Sequence, residues 1–234
     1  MPVQEPDVRS MRREIPQRTT GWARRLARGA QNIGLTPNGV SIASVVLAAI
    51  GCAAFVGVGV ATASDSSGWR VGLLLVAAAT PPLRLFCNML DGMLAVEGGL
   101  QSPVGDLYNE LPDRISDVLF LAGAGYAAVA VPGGVAVGWV AATLALLTAY
   151  VRSLGAAQGL SNHFEGPMPK PRRMWILVAG TLLSLLEPVT TVPLGVPAGT
   201  VLVGALGVIG LGSLATVVVR LRLVAGDLNR RASS

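Results

Sequence analysis

Six of the 13 acidic residues fall within one short stretch: Asp91, Glu97, Asp106, Glu110, Asp113 and Asp117. Asp106, Glu110, Asp113 and Asp117 are spaced by four, three and four. On a helix that spacing puts them within about 60° of one another, with Asn109 bordering the stripe. Upstream, Arg84, Asn88, Asp91 and Ala95 repeat the same spacing and share one helical face. Four carboxylates on one face repel, and the more so in a low dielectric. They require protons, arginines or a cation. A hard divalent cation held by oxygen ligands, Mg²⁺ or Mn²⁺, meets that need. A proton or ion pathway, or intramembrane ion pairs with Arg84, Arg114 and Arg152, meets it too. Spacing does not choose between them.

The elements that carry these groups are apolar. Of 234 residues, 52% are hydrophobic and 13% charged, with a mean hydropathy of +0.59. Soluble domains carry roughly 25% charge, so disorder is excluded and a soluble globular fold disfavoured. The net charge of +5 is the basic balance of a membrane protein, not of a nucleic-acid binder. Cys52 and Cys87 both lie in apolar runs and pack there instead of forming a disulfide framework.

The expected fold is an all-α integral membrane protein with six transmembrane helices and an N-terminal amphipathic interfacial helix. Spans need about 20 apolar residues. They are expected over about 39–62, 70–96, 105–131, 135–160, 174–186 and 197–223, the first opened by Thr36-Pro37-Asn38. Over 20–33, Trp22, Leu26, Gly29, Ala30 and Ile33 oppose Arg24, Arg25 and Arg28, as in a helix lying in the interface. The domain reading is a tail over 1–19, one membrane domain over 20–225 and a tail over 226–234. No short apolar core of a signal peptide precedes the first span. Fourteen of the 18 cations lie before the first span, in the loop after the fourth, or at and beyond the end of the sixth. The positive-inside rule then places a multi-pass protein in the cell membrane with both termini cytoplasmic. The acids come to the inner interface, open to lipid sideways and to solutes from the cytosol.

At this point the residues resemble the CDP-alcohol phosphatidyltransferases, whose pattern is D-x2-D-G-x2-A-R-x8-G-x3-D-x3-D. The chain has Asn88-x2-Asp91-Gly92-x2-Ala95-Val96-x8-Gly105-x3-Asn109-x3-Asp113, with every gap kept. Leu35-Thr36-Pro37-Asn38, Arg152 and Lys170 are similar to family positions, and the likeness covers roughly 20–225.

The resemblance implies two divalent metals on the motif aspartates, which hold the diphosphate of a CDP-linked substrate, and a last aspartate acting as general base. Carried over, Asp91 and Asp113 are metal ligands with Asn88 and Asn109, and Asp113 is the base. Gly92, Ala95 and Gly105 approach the nucleotide. Two carboxylates are Asn here and the motif Arg is Val96. Asn ligates through its carbonyl oxygen without charge. Glu110 and Asp117, with Glu97 and Asp106 nearby, are candidates to compensate, giving a site with one or two ions of Mg²⁺ or Mn²⁺. The implied reaction is transfer of a phosphatidyl group from CDP-diacylglycerol to a polar alcohol. The reverse arrangement, a CDP-alcohol and diacylglycerol, stays open, as do a degenerate nucleotide-lipid binder and an ion transporter.

Arg152, Lys170, Arg172 and Arg173 form an expected anion pocket, suited to a phosphorylated acceptor such as glycerol 3-phosphate or inositol phosphate. Pro167, Pro169 and Pro171 stiffen the loop that carries it. His163, the single histidine, reads as a solvated loop residue. Gly204, Gly207 and Gly210 mark a face for close helix packing, and the family tends to form dimers. The expected partners are thus CDP-linked lipid, membrane lipids and a second copy, with no nucleic acid.

Overall fold

A computed structural model of the chain describes residues 34–64, 67–97 and 105–233, together with Gly29 and Asn32. Apart from those two positions, the 1–19 tail and the interfacial helix expected over 20–33 lie outside the described residues. So do the side chains of Val96, Glu97, Asp106 and Asn109.

The described residues form helices and no strand. The long ones are α1 (Pro37–Ala63), α2 (Ser67–Glu97), α3 (Gly105–Ala127), α4 (Gly134–Ala157), α5 (Lys170–Leu183) and α7 (Thr200–Ala232). A 3₁₀ turn at Ser184–Leu186 and the short α6 (Glu187–Thr190) extend α5, and a second 3₁₀ turn covers Val192–Leu194. Thr36 caps α1 by accepting from the Gly39 N–H at 3.1 Å, and Pro37 opens the helix. That is the start the Thr-Pro-Asn signal specifies.

Five helical stretches are long and apolar enough to cross a membrane: Pro37–Ala63, Gly68–Ala95, Gly134–Ala157, Lys170–Thr190 and Thr200–Ala232. The remaining expected span, the third over 105–131, corresponds to α3. Its 23 residues reach far enough, but five charges in its first 13 positions, Asp106 to Asp117, remove it from that class. α7 runs unbroken to Ala232, so the stretch from 226 continues the last helix.

α1 packs chiefly on α2 and α3, while α4 lies between α3 and α7. Phe55, Leu74, Phe120, Leu121, Leu177, Leu202, Leu206 and Ile209 fill the main core. α3 and α4 meet backbone to backbone, because a Cβ on Gly138 would stand 2.7 Å from the Gly125 Cα. Pro81 lacks the N–H that Ala77 O would accept in α2. The Thr80 hydroxyl donates to that oxygen at 3.1 Å instead.

Charges gather at the two ends of the bundle. At one end the start of α1, the end of α2, the starts of α3 and α5 and the ends of α4 and α7 exchange polar contacts. At the other end Arg70 of α2 meets Glu187 at 2.6 Å.

Candidate functional site

Helical spacing puts Arg84, Asn88 and Asp91 on one face of α2, and the structure turns that face toward α3 and α1. Asp91 is buried and accepts from the Ser41 hydroxyl at 2.8 Å. Asn88 Nδ2 donates to Asp113 Oδ1 at 2.7 Å. Arg84, fully buried, pairs with the same oxygen. Lys170 Nζ, at the first residue of α5, lies 2.6 Å from it. Arg114 Nη2 is 4.0 Å from the other Asp113 oxygen. One carboxylate on α3 therefore joins α2 and α5.

The remaining acids of the stripe face other helices. Glu110 meets Arg114 at 2.8 Å on its own helix, and Arg152 Nη2 lies 2.6 Å from both Glu110 oxygens. Asp117 and Arg173 form a pair at 2.8 Å, both nearly inaccessible to solvent. Arg173 also donates to Met168 O at 3.1 Å and to the Thr148 hydroxyl at 3.3 Å. In this network five cations (Arg84, Arg114, Arg152, Lys170 and Arg173) meet three acids (Glu110, Asp113 and Asp117). Among the described residues these contacts join more cations than acids, a balance that suits an anionic ligand.

The four cations expected to form one anion pocket are thus distributed. Lys170 engages Asp113, Arg173 engages Asp117 and Arg152 engages Glu110. Arg172 is exposed and donates to Pro167 O. Arg152 also sits over the Phe164 ring, 5.1 Å from its centroid. Gly92 and Ala95 are half-buried on α2, and Gly105 opens α3. Asn109 belongs to α3, but its side chain lies outside the described residues.

Sequence reasoning passed over several residues here. Ser41 fixes Asp91 from α1, and no periodicity marks a lone serine. Arg220, grouped with the topology-setting cations, is buried and donates to Glu165 O at 3.0 Å, Phe164 O at 3.2 Å and Thr148 O at 2.6 Å. It ties the loop after α4 to α4 and α7. Gly166 completes that tie. Its φ is +128°, and a Cβ would stand 2.4 Å from a Thr216 carbon. His163 is buried, not solvated, and lies 2.9 Å from Asp227 and 3.5 Å from Glu165.

The donors near α2 and α3 are hard oxygens: the Asp91 carboxylate, the Asn88 amide oxygen and Asp113. Such a set fits a hard divalent ion. Among the described residues, however, no three acids, histidines or cysteines converge as a ready cage. Asp113 already carries protein cations.

No protein-family model and no curated protein matches the chain. Solved structures of Mycobacterium tuberculosis phosphatidylinositol phosphate synthase (PgsA1) do. The form with CDP-DAG bound superposes with a TM-score of 0.67 at 23% identity, covering 86% of this chain and 92% of that one. The complex with manganese and citrate gives 0.66 at 24% identity, covering 86% and 87%. The apo form gives 0.65 at 23%, covering 86% and 94%. The fold is shared. The likeness spans nearly the whole of those synthase chains.

Proposed function

We propose that the chain is a membrane phospholipid-synthesis enzyme of the CDP-alcohol phosphatidyltransferase type. It transfers a phosphatidyl group from CDP-diacylglycerol to a polar alcohol and releases CMP. One observation carries the reading: the widely spaced motif positions Asn88, Asp91 and Asp113 gather at one end of the bundle, in a fold shared with a synthase that binds CDP-DAG.

Asp113 takes the proton of the acceptor hydroxyl. The alcohol oxygen bonds to the phosphatidyl phosphorus as the bond from that phosphorus to the CMP oxygen breaks. Positioning and charge neutralisation do most of this work. Asp91 would hold Mg²⁺ or Mn²⁺ through its carboxylate, and Asn88 and Asn109 are the neutral oxygen donors that the resemblance adds. When bound, the ion supplies positive charge to the diphosphate. Gly92, Ala95 and Gly105 let the cytidine approach the backbone. Arg152, Lys170 and Arg173 in their ion pairs, with the exposed Arg172, give this end the positive charge that favours an acceptor carrying phosphate. Glu110 and Asp117 orient Arg152 and Arg173 there. The protein lies in the cell membrane with both termini cytoplasmic and pairs with a second copy.

The test is CMP release from purified protein supplied with CDP-diacylglycerol, Mg²⁺ or Mn²⁺ and a panel of free and phosphorylated polyols. Product with phosphorylated polyols is the expected result. Product only from a CDP-alcohol and diacylglycerol reverses the direction. No product from any pair, with Asp113→Asn indistinguishable from the unaltered chain, refutes the enzyme.

A further inference from the structure

Asp113 has an unusual neighbourhood for a carboxylate offered to a metal. Three side chains from two other helices converge on its Oδ1: the Asn88 amide at 2.7 Å, the Lys170 ammonium at 2.6 Å and the Arg84 guanidinium. The Lys170 nitrogen is out of contact with solvent. Arg84 is wholly buried, and its Nε and Nη1 have no hydrogen-bond partner among the described residues. A buried guanidinium with donors to spare is costly unless an anion completes it. The sequence also lacks negative charge here, since Asn88 and Asn109 are neutral.

These observations fit together by charge. A divalent ion at Asp113 would stand against two fixed cations already in contact with its ligand, and their repulsion opposes it. We infer that Lys170 and Arg84 are built-in counter-cations that take the place of a divalent ion at Asp113. The chain then holds a single ion, through Asp91, and the spare Arg84 donors add fixed positive charge toward the diphosphate. The inference rests on the divalent-assisted transfer proposed above, but its test reads metal binding and not turnover.

The experiment titrates Mn²⁺ into the full-length chain in uncharged detergent and reads free Mn²⁺ by electron paramagnetic resonance. The unaltered chain should bind one ion. Asp113→Asn should leave that affinity within about twofold, whereas Asp91→Asn should weaken it at least tenfold. Lys170→Met should admit a second ion or tighten binding by about tenfold, as removal of a neighbouring charge predicts. Lys170→Arg should stay at one ion. A tenfold loss of Mn²⁺ in Asp113→Asn, or no change in Lys170→Met, overturns the inference. If Lys170→Met fails to fold, the Asp113→Asn and Asp91→Asn pair decides alone. Absence of CMP release with these binding results intact refutes the proposed reaction and leaves the counter-cation assignment standing.

Discussion

Individual charges in this protein act through their partners. Asp117 and Arg173 form a nearly solvent-free pair between α3 and α5. Removing one partner strands the other, which typically costs about 3–5 kcal/mol. Arg173→Met should therefore lower the thermal unfolding midpoint clearly in detergent. Adding Asp117→Leu should restore part of the loss, because no charge is then left alone. Asp113 makes a different prediction, since its proposed role is to accept a proton. General-base catalysis contributes about 10²–10⁴-fold. Asp113→Asn should reduce CMP release by at least about 100-fold per folded molecule, although stranding Arg84 and Lys170 lowers the unfolding midpoint. A loss matched by misfolding would assign the residue to structure instead.

Elements set the distances between these residues. The α3–α4 crossing depends on Gly125 and Gly138, where one added Cβ meets backbone at 2.7 Å. Gly138→Val should spread the crossing and separate Glu110 on α3 from Arg152 on α4, which now meet at 2.6 Å. The expected outcome is a lower unfolding midpoint together with a raised KM for the acceptor, read in the CMP assay. The loop between α4 and α5 is held differently. Arg220 donates to two of its carbonyls and to Thr148 O on α4. Arg220→Met should leave the carbonyls of Thr148, Phe164 and Glu165 without these donors. Limited proteolysis should then cut within 161–169 at lower protease concentration than in the unaltered chain.

Across the whole molecule, polar contacts are divided between two ends. At the end away from the candidate site, Glu187 is fully buried. It pairs with Arg70 at 2.6 Å and accepts from Gly199 N at 2.9 Å and Val201 N at 3.0 Å. A carboxylate there meets the exposed N–H groups at the start of α7 and its positive dipole end. This contact links α2, the α6 turn and α7. A double-mutant cycle of Arg70→Met and Glu187→Gln should show strong coupling in stability. KM for CDP-diacylglycerol should stay unchanged in both single variants that fold, since the pair lies a bundle length from Asp113. A change in KM would mean that the two ends communicate.

The sequence by itself determined the class of fold and the neighbourhood of the chemistry. Apolar runs with few charges require helices in a membrane, because backbone groups there must bond within their own segment. The regular spacing of Asn88, Asp91, Asn109 and Asp113 marked two faces that had to meet. Thr36-Pro37 placed the start of α1 correctly, since capping is a local interaction. Only the tertiary structure decided which charge meets which. Lys170 is 57 positions from Asp113 and Arg173 is 56 from Asp117, and no local pattern couples residues so far apart. The same holds for Ser41 with Asp91, Arg220 with the loop carbonyls, and Arg70 with Glu187. Charge counting along the chain read the Lys170–Arg173 run as one patch. Helical geometry aims its members at different partners, because successive side chains of a helix point about 100° apart. The identity of the acids was legible in one dimension. Their neutralisation by particular cations depended on how α2, α4 and α5 pack around α3.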